Sequence, residues 1–271
     1  MSANSKIEWT ERTWNPVTGC TEVSPGCDHC YAKTFAERFR GVPGHAFENG
    51  FDLTFHPERL RSPFRWKKQS RVFVNSMSDL FHRDIPDEFI GKVYETMLGA
   101  SLCPHRHTFQ VLTKRPERMR RIVPPIYEEA GRSYRDGKAY IDGIWSGVSI
   151  EGNGFGWRAG MLREVPGIRW ISFEPLLASC AAVDLTGIDW VVIGGESGHG
   201  ARWMDPDWVR EIILNARAVG AAVFVKQLGA VWSRGLGDRD DDGDPLWRAD
   251  PKGGEMERWP EDLRVREYPA T

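Results

Sequence analysis

The chain predicts an α/β fold: a partial or complete (β/α) TIM-like barrel of parallel strands with an irregular C-terminal extension. Three observations predict it. Short apolar runs recur along the chain, each followed by a helical or polar stretch, which is the alternation of a parallel sheet. The runs are apolar throughout, so each strand is expected to be covered on both faces. Six or seven such units occur without a duplicated dinucleotide fingerprint, which favours a barrel over a doubly wound sheet. A chain of 271 residues is long enough for such a barrel and its core.

The elements follow in order. Cys30 to Arg40 reads as a helix leaving a turn-rich loop. Arg71 to Asn75 (RVFVN) is a β-rich run, and Pro86 to Leu102 is an amphipathic helix with proline at its start. Thr108 to Leu112 is the next strand, followed by the basic helix Arg115 to Arg121. Ile144 to Ile150, Arg169 to Phe173, Trp190 to Ile193 and Ala222 to Val225 supply four more strands, and Pro206 to Val219 is the clearest helix. Gly131 to Gly143 reads as a polar insertion. Periodicity fades from Trp232 onward, so the expected organisation is a barrel over 1–231 and an extension over 232–271, packed on the barrel or partly mobile.

Composition narrows the function classes. The formal net charge is −2, so no global field draws the chain onto nucleic acid or membrane. No apolar stretch approaches a membrane span and the start lacks a signal-peptide core, so a cytoplasmic, thiol-reducing location is expected. The tryptophans are expected in the core or at its edge.

Of five cysteines, three lie within eleven residues: Cys20, Cys27 and Cys30. Thiols this close point to a metal or a cluster, because a disulfide would strand the third. Three ligands without an evident fourth fit an iron–sulfur cluster with one iron left open. A structural zinc borrowing His29, His45 or His56 is the competing reading, that of a non-catalytic nucleic-acid or partner-binding protein. The intervening Ser24, Pro25, Gly26 and Asp28 make a turn, which disfavours simple packing. Cys103 and Cys180 stand alone among apolar residues and read as core.

Polar residues collect just past the strands, where barrel chemistry sits. Ser76, Ser78 and Asp79 follow the first run, then Lys114, Ser149 with Glu151, Phe173 with Glu174, Gly195 with Glu196, and Lys226 with Gln227. Helix caps explain some Ser, Thr and Asp, but not carboxylates and lysines recurring after buried strands.

The phrases Trp14-Asn15-Pro16, SPGCDHCYA, FVNSMSDLF, FQVLTKRPERM, GVSIE, FEPLL and VIGGESG, with the terminal PKGGEMERWPEDLRVRE, resemble the phage-associated three-Cys-motif family of the radical SAM superfamily. The resemblance implies that Cys20, Cys27 and Cys30 ligate a 4Fe-4S cluster whose open iron binds S-adenosylmethionine. Reductive cleavage would then give a 5′-deoxyadenosyl radical that abstracts hydrogen from substrate, with a flavodoxin or ferredoxin as electron donor. It implies cofactor contacts for His29, Ser76, Ser78, Asp79, Lys114, Ser149, Glu151, Phe173 and Glu174. Gly195, Glu196, Lys226 and Gln227 would lie toward substrate, and Glu174, Glu196 and Lys226 are the catalytic candidates. The first cysteine gap has six residues where the superfamily usually has three, which implies a remodelled loop.

Two segments hint at phosphate. Arg59 to Arg71 holds six basic residues interleaved with Phe64 and Trp66, and Lys114 to Arg121 holds five. Basic side chains beside aromatics suit backbone contact and base stacking, while on an otherwise neutral chain a solvated helix face explains them slightly better. The resemblance to a phage-associated family implies modification or repair of a nucleotide or nucleic acid as the expected activity. The acidic run from Asp238 to Asp244 opens like a calcium loop, but Ala249 stands at its twelfth position, so a solvated turn is expected.

Overall fold

The computed structural model describes residues 5–102, 106–130, 134–135, 138–139, 143–235 and 248–270. Cys103, the acidic run 238–244 and most of the insertion 131–143 lie outside them. The chain divides into two compact units, Met1–Val148 with Met161–Arg169 and Ser149–Gly160 with Trp170–Thr271.

The first unit opens with β1 (Arg12–Trp14), then β2 (Val17–Thr18), the cysteine loop, α1 (Tyr31–Glu37) and β3 (Thr54–Phe55). Next come β4 (Arg71–Val74), α2 (Asp87–Leu102), β5 (Thr108–Thr113) and α3 (Pro116–Glu129). The short antiparallel pair β6 (Tyr134–Arg135) and β7 (Lys138–Ala139) falls in the expected insertion and precedes β8 (Ile144–Ser149). The strands β1, β4, β5 and β8 run parallel, with Trp14 level with Val74 and Val74 level with Val111. Every residue of β8 is buried, the pattern of a strand covered on both faces.

The helices of this unit start where their sequences direct. Proline at the first turn of α3 needs no hydrogen-bond partner for its nitrogen, and Asp87 and Glu88 place negative charge at the positive end of α2. The antiparallel pair β2–β3 was not legible from alternation, since two residues a side carry no period.

The second unit contains most of α4 (Trp157–Leu162) and of β9 (Ile168–Phe173), whose residues 161–162 and 168–169 belong to the first, with β10 (Trp190–Gly194), α5 (Pro206–Ala218), β11 (Ala222–Gln227) and α6 (Ala230–Gly235). Here β9, β10 and β11 run parallel, with Trp170 level with Trp190 and Trp190 level with Ala222. Asp205 caps α5 by accepting from the backbone N–H of Asp207 ahead of Pro206, so the helix begins where the sequence predicts.

The large sheet has the order β1-β4-β5-β8-β9-β10-β11, in chain order throughout. This is the topology of a partial (β/α) barrel. Because β1 and β11 end the order, the complete-barrel alternative is not realised among the described residues.

The expected boundary at 231/232 falls inside α6. The tail beyond it is integral to the second unit wherever it is described. Val225 donates to the carbonyl of Val265 and Glu267 to that of Val223, while Trp259 is buried. Arg266 pairs antiparallel with Phe224, closing part of the β11 edge, a usual way of blunting an edge strand.

Candidate functional site

In the first unit the cysteine loop is a continuation of the sheet's hydrogen bonding. Gly19 donates to the carbonyl of Met77 and bridges Ser78 in parallel. Gly19 has φ of +87°, and a Cβ there would lie 2.3 Å from the Asp52 carbonyl oxygen, so only glycine fits the approach. Cys20 then donates to the carbonyl of Phe51. That platform is itself braced: Glu37 accepts from the Phe51 N–H and from Arg40, which also grips Asp52.

Pro25 to Cys27 form a 3-10 turn and Cys30 occupies the cap of α1, so that turn carries the second thiol and the helix start the third. All three are free and half-buried. Asn15, from the Trp-Asn-Pro phrase, accepts from the Met77 N–H at 2.9 Å and bonds Ser76. The left-handed Asn75 (φ 58°) donates to Ser78, whose hydroxyl donates to the Val17 carbonyl. Ser76 and Ser78 thus hold the strand-end turn beside the loop, and Tyr31 donates to the Ser76 carbonyl at 2.6 Å.

A residue that the sequence places at a strand end, without a site role, joins this loop to the sheet. Arg115 donates to the Cys20 Sγ at 3.5 Å, to the Thr21 carbonyl at 2.9 Å and to Asp79 Oδ2 at 2.8 Å. Asp79 is buried and its two oxygens also accept from Thr113, from the Lys114 N–H and from the Phe81 N–H. Asp79, expected at the cofactor, has its oxygens engaged here in aiming Arg115 at the loop. Burial first, then Asp79, pushes the Cys20 thiol up to about 11, against the opposing pull of Arg115. Thr21 also bonds His82, a buried ring held below its ordinary pKa by burial and by Arg115. The signal for Arg115 was present, as a basic residue at the same strand end as Lys114, but its target lies 95 positions away in the chain. His29 is exposed on the loop, and Lys114 is half-buried next to Arg115.

The donor chemistry fits an iron–sulfur cluster. Three free thiols lie on one eleven-residue loop, no disulfide consumes them, and a guanidinium stands beside Cys20 to offset thiolate charge. Among the described residues no group of three His, Cys, Asp or Glu side chains is gathered closely enough to hold a single metal ion. Cys180 is buried, with its thiol pushed up to about 12 chiefly by burial, as a core cysteine should be.

The second basic run lies in the same unit and is absorbed by the fold. Arg118 donates to the carbonyls of His82 and Ile85 and to Asp87, Arg121 pairs with Asp87, and Arg120 with Glu164. These arginines stitch α3 to its neighbours, so the phosphate role considered for them is corrected.

The second unit gathers the other expected residues. Glu174, at the end of β9, accepts from Lys226 of β11 at 2.8 Å and from Ser172 at 3.2 Å. Gly194 makes room for that carboxylate, since a Cβ there would lie 2.7 Å from Glu174 Oε1. Gln227 donates to the Gly195 carbonyl, and a Gly195 Cβ would meet the Leu228 oxygen at 2.6 Å. Of the catalytic candidates, Glu174 and Lys226 therefore pair. Glu196 is separate, held by the Arg202 N–H and guanidinium.

Glu151 and Phe173 take structural places. Glu151 is 1% exposed and pairs with Arg158, which also donates to the Ser149 carbonyl and lies over Phe155. Phe173 is fully buried in β9. These are the two residues expected at ribose and adenine, and both are buried. Ser149 is buried as well.

Residues 4–254 match the family model described as a protein of unknown function, DUF5131. The chain belongs to the DUF5131 family. No curated protein matches this DUF5131 member. Among solved structures it is similar to a spore photoproduct lyase variant with bound AdoMet and dinucleoside spore photoproduct, at 12% identity and a TM-score of 0.46. That match covers 80% of this chain and 64% of the other, so this DUF5131 chain spans a little under two thirds of the enzyme's length. Another variant of the same lyase gives 11% identity and a TM-score of 0.49, covering 82% of this chain and 78% of that one.

Proposed function

We propose that this DUF5131 protein is a radical S-adenosylmethionine enzyme that acts on a nucleotide or nucleic-acid substrate. The observation that supports it is the loop of three free thiols directly after β1 and β2, tied to the sheet through the Arg115–Asp79 bridge. The resemblance of its motifs to the phage-associated three-Cys-motif family supports the same reading.

In this reading Cys20, Cys27 and Cys30 hold a 4Fe-4S cluster, and S-adenosylmethionine binds beside it. When bound, the pair supplies a 5′-deoxyadenosyl radical for hydrogen abstraction, using an electron from a low-potential donor such as a flavodoxin or ferredoxin. The chain's own residues do the positioning. Gly19 lets the loop approach the 51–52 backbone, and Arg115 fixes Cys20 and Thr21 against the strand end. Ser76, Ser78, Lys114 and His29 line the same strand end and loop, and Ser76 and Lys114 are the polar groups proposed for cofactor contact. In the second unit, the Glu174–Lys226 ion pair is proposed to orient substrate. Radical chemistry needs positioning and exclusion of competing donors more than an acid–base dyad.

The test is anaerobic purification with iron, sulfide and zinc quantified on one sample, then incubation with dithionite and S-adenosylmethionine. About four irons and four sulfides per chain, with 5′-deoxyadenosine released and both lost in the triple Cys→Ala variant, is the expected result. Stoichiometric zinc in protein reconstituted without air would overturn it.

A further inference from the structure

The two basic runs of the sequence have different fates in the fold. In the run on α3, Arg115, Arg118, Arg120 and Arg121 are all engaged by carboxylates, carbonyls or the cysteine loop. In the earlier run, Arg59 donates to the Asn15 carbonyl and Arg71 pairs with Glu11. Between them, Arg61, Arg65, Lys67 and Lys68 are exposed, and their side chains meet no hydrogen-bond or ion-pair partner among the described residues. No Asp or Glu occurs from Arg59 to Arg71 to neutralise them. In a chain of net charge −2 that concentration of unspent charge is local.

The run is also held in shape. Trp66 is buried, with Arg12 at 5.3 Å over its ring and His107 edge-on at 5.5 Å. Pro63 is buried in the short turn Pro63–Arg65. Phe64 lies against Gly99 of α2, where a Cβ would be only 3.1 Å from the ring, yet half of Phe64 remains exposed. Leu102, at the end of that helix, is exposed too, and the exposed Arg106 directly precedes the His107 that meets Trp66. An aromatic ring seated on a helix backbone among exposed cations is an arrangement that stacks a base and neutralises phosphates.

We propose that residues 61–68, with Arg106, form a phosphodiester-binding surface that takes a nucleic-acid polymer, with Phe64 stacking on a base. This deepens the substrate half of the proposed function and does not depend on the thiol loop. The run leads into the N-terminal end of β4, whereas the cysteine loop follows the C-terminal end of the parallel neighbour β1. Several exposed cations around one exposed ring can neutralise successive phosphates, so the surface argues for a polymer.

The experiment measures fluorescence anisotropy of a labelled mixed-sequence single-stranded DNA 20-mer, with RNA and duplex 20-mers as parallel arms. Four neutralised phosphates predict roughly 50-fold weaker binding between about 50 and 200 mM salt. Lys67→Glu with Lys68→Glu is expected to weaken binding at least about tenfold at low salt and flatten that dependence. Phe64→Ala is expected to weaken it about tenfold with the salt slope unchanged. Whichever polymer binds most tightly identifies the preferred one and supports the surface. Equal affinity of the charge-reversed protein, or retention on phosphatidylglycerol vesicles with no oligonucleotide binding, would overturn it. Thermal melting of each variant guards against misfolding. Iron content read on the same samples separates the two proposals, because a zinc-loaded or metal-free protein that still binds DNA through this run sinks only the radical reading.

Discussion

At the scale of single residues, the charges that look most available in the sequence are the ones the fold consumes. Asp79 accepts four hydrogen bonds and Glu151 is locked to Arg158. Removing one partner of a buried pair leaves the other charge uncompensated, which costs about 3–5 kcal/mol. Glu151→Ala is therefore expected to lower the denaturation free energy by about that amount, read in a urea titration. Glu151→Ala with Arg158→Met should recover much of it. Arg115 offers a sharper test of the loop. Arg115→Lys keeps the charge but cannot fork between Cys20, Thr21 and Asp79. Both Arg115→Lys and Arg115→Ala are expected to shift the reduction potential of the reconstituted cluster, the alanine variant further, while unchanged potentials would assign Arg115 a structural part only. Two histidines give the pH dependence. Burial holds His82 and His56 below the ordinary value of 6.5, with Arg115 and Arg59 reinforcing it. Each gains its proton more readily when unfolded, so their stability contribution is present above 6.5 and is lost as pH falls through the depressed folded values. The melting temperature should fall between about pH 7 and pH 5, and less so in the His56→Gln, His82→Gln double variant.

At the scale of elements, the close approaches are set by glycine. Gly19→Ala combines a left-handed φ with a Cβ 2.3 Å from the Asp52 oxygen, so the loop must move. The expected outcome is destabilisation beyond about 1 kcal/mol, with iron retention after gel filtration reduced to near background. Full iron retention in Gly19→Ala would show that the loop's path is not needed for the cluster. Strands and long helices were legible because continuous apolar runs and cap residues are local signals. Arg71–Val74, Thr108–Thr113, Ile168–Phe173 and α5 all fall within two residues of their expected ends. The pair β2–β3 was not, because two-residue strands are specified by what they meet.

At the scale of the whole molecule, the tail is the part whose character changed most between sequence and structure. Its composition reads as irregular, yet Trp259 is buried and Leu263 fully so, and backbone bonds join Val265 and Glu267 to β11. Trp259→Ala is expected to cost about 3–5 kcal/mol. Truncation after Val231 should give protein that elutes as aggregate in size-exclusion chromatography, since it cuts α6 and bares the β11 edge; a monodisperse truncated protein would contradict this. The sequence by itself determined the strand–helix alternation, the chain-order topology and the three-thiol loop, because apolar period, turn chemistry and cysteine spacing are written within a few residues. The partners of the charged groups were decided only by the tertiary structure. Asp79 meets Arg115 across 36 positions and Glu174 meets Lys226 across 52, and only folding brings such distant side chains within hydrogen-bond reach.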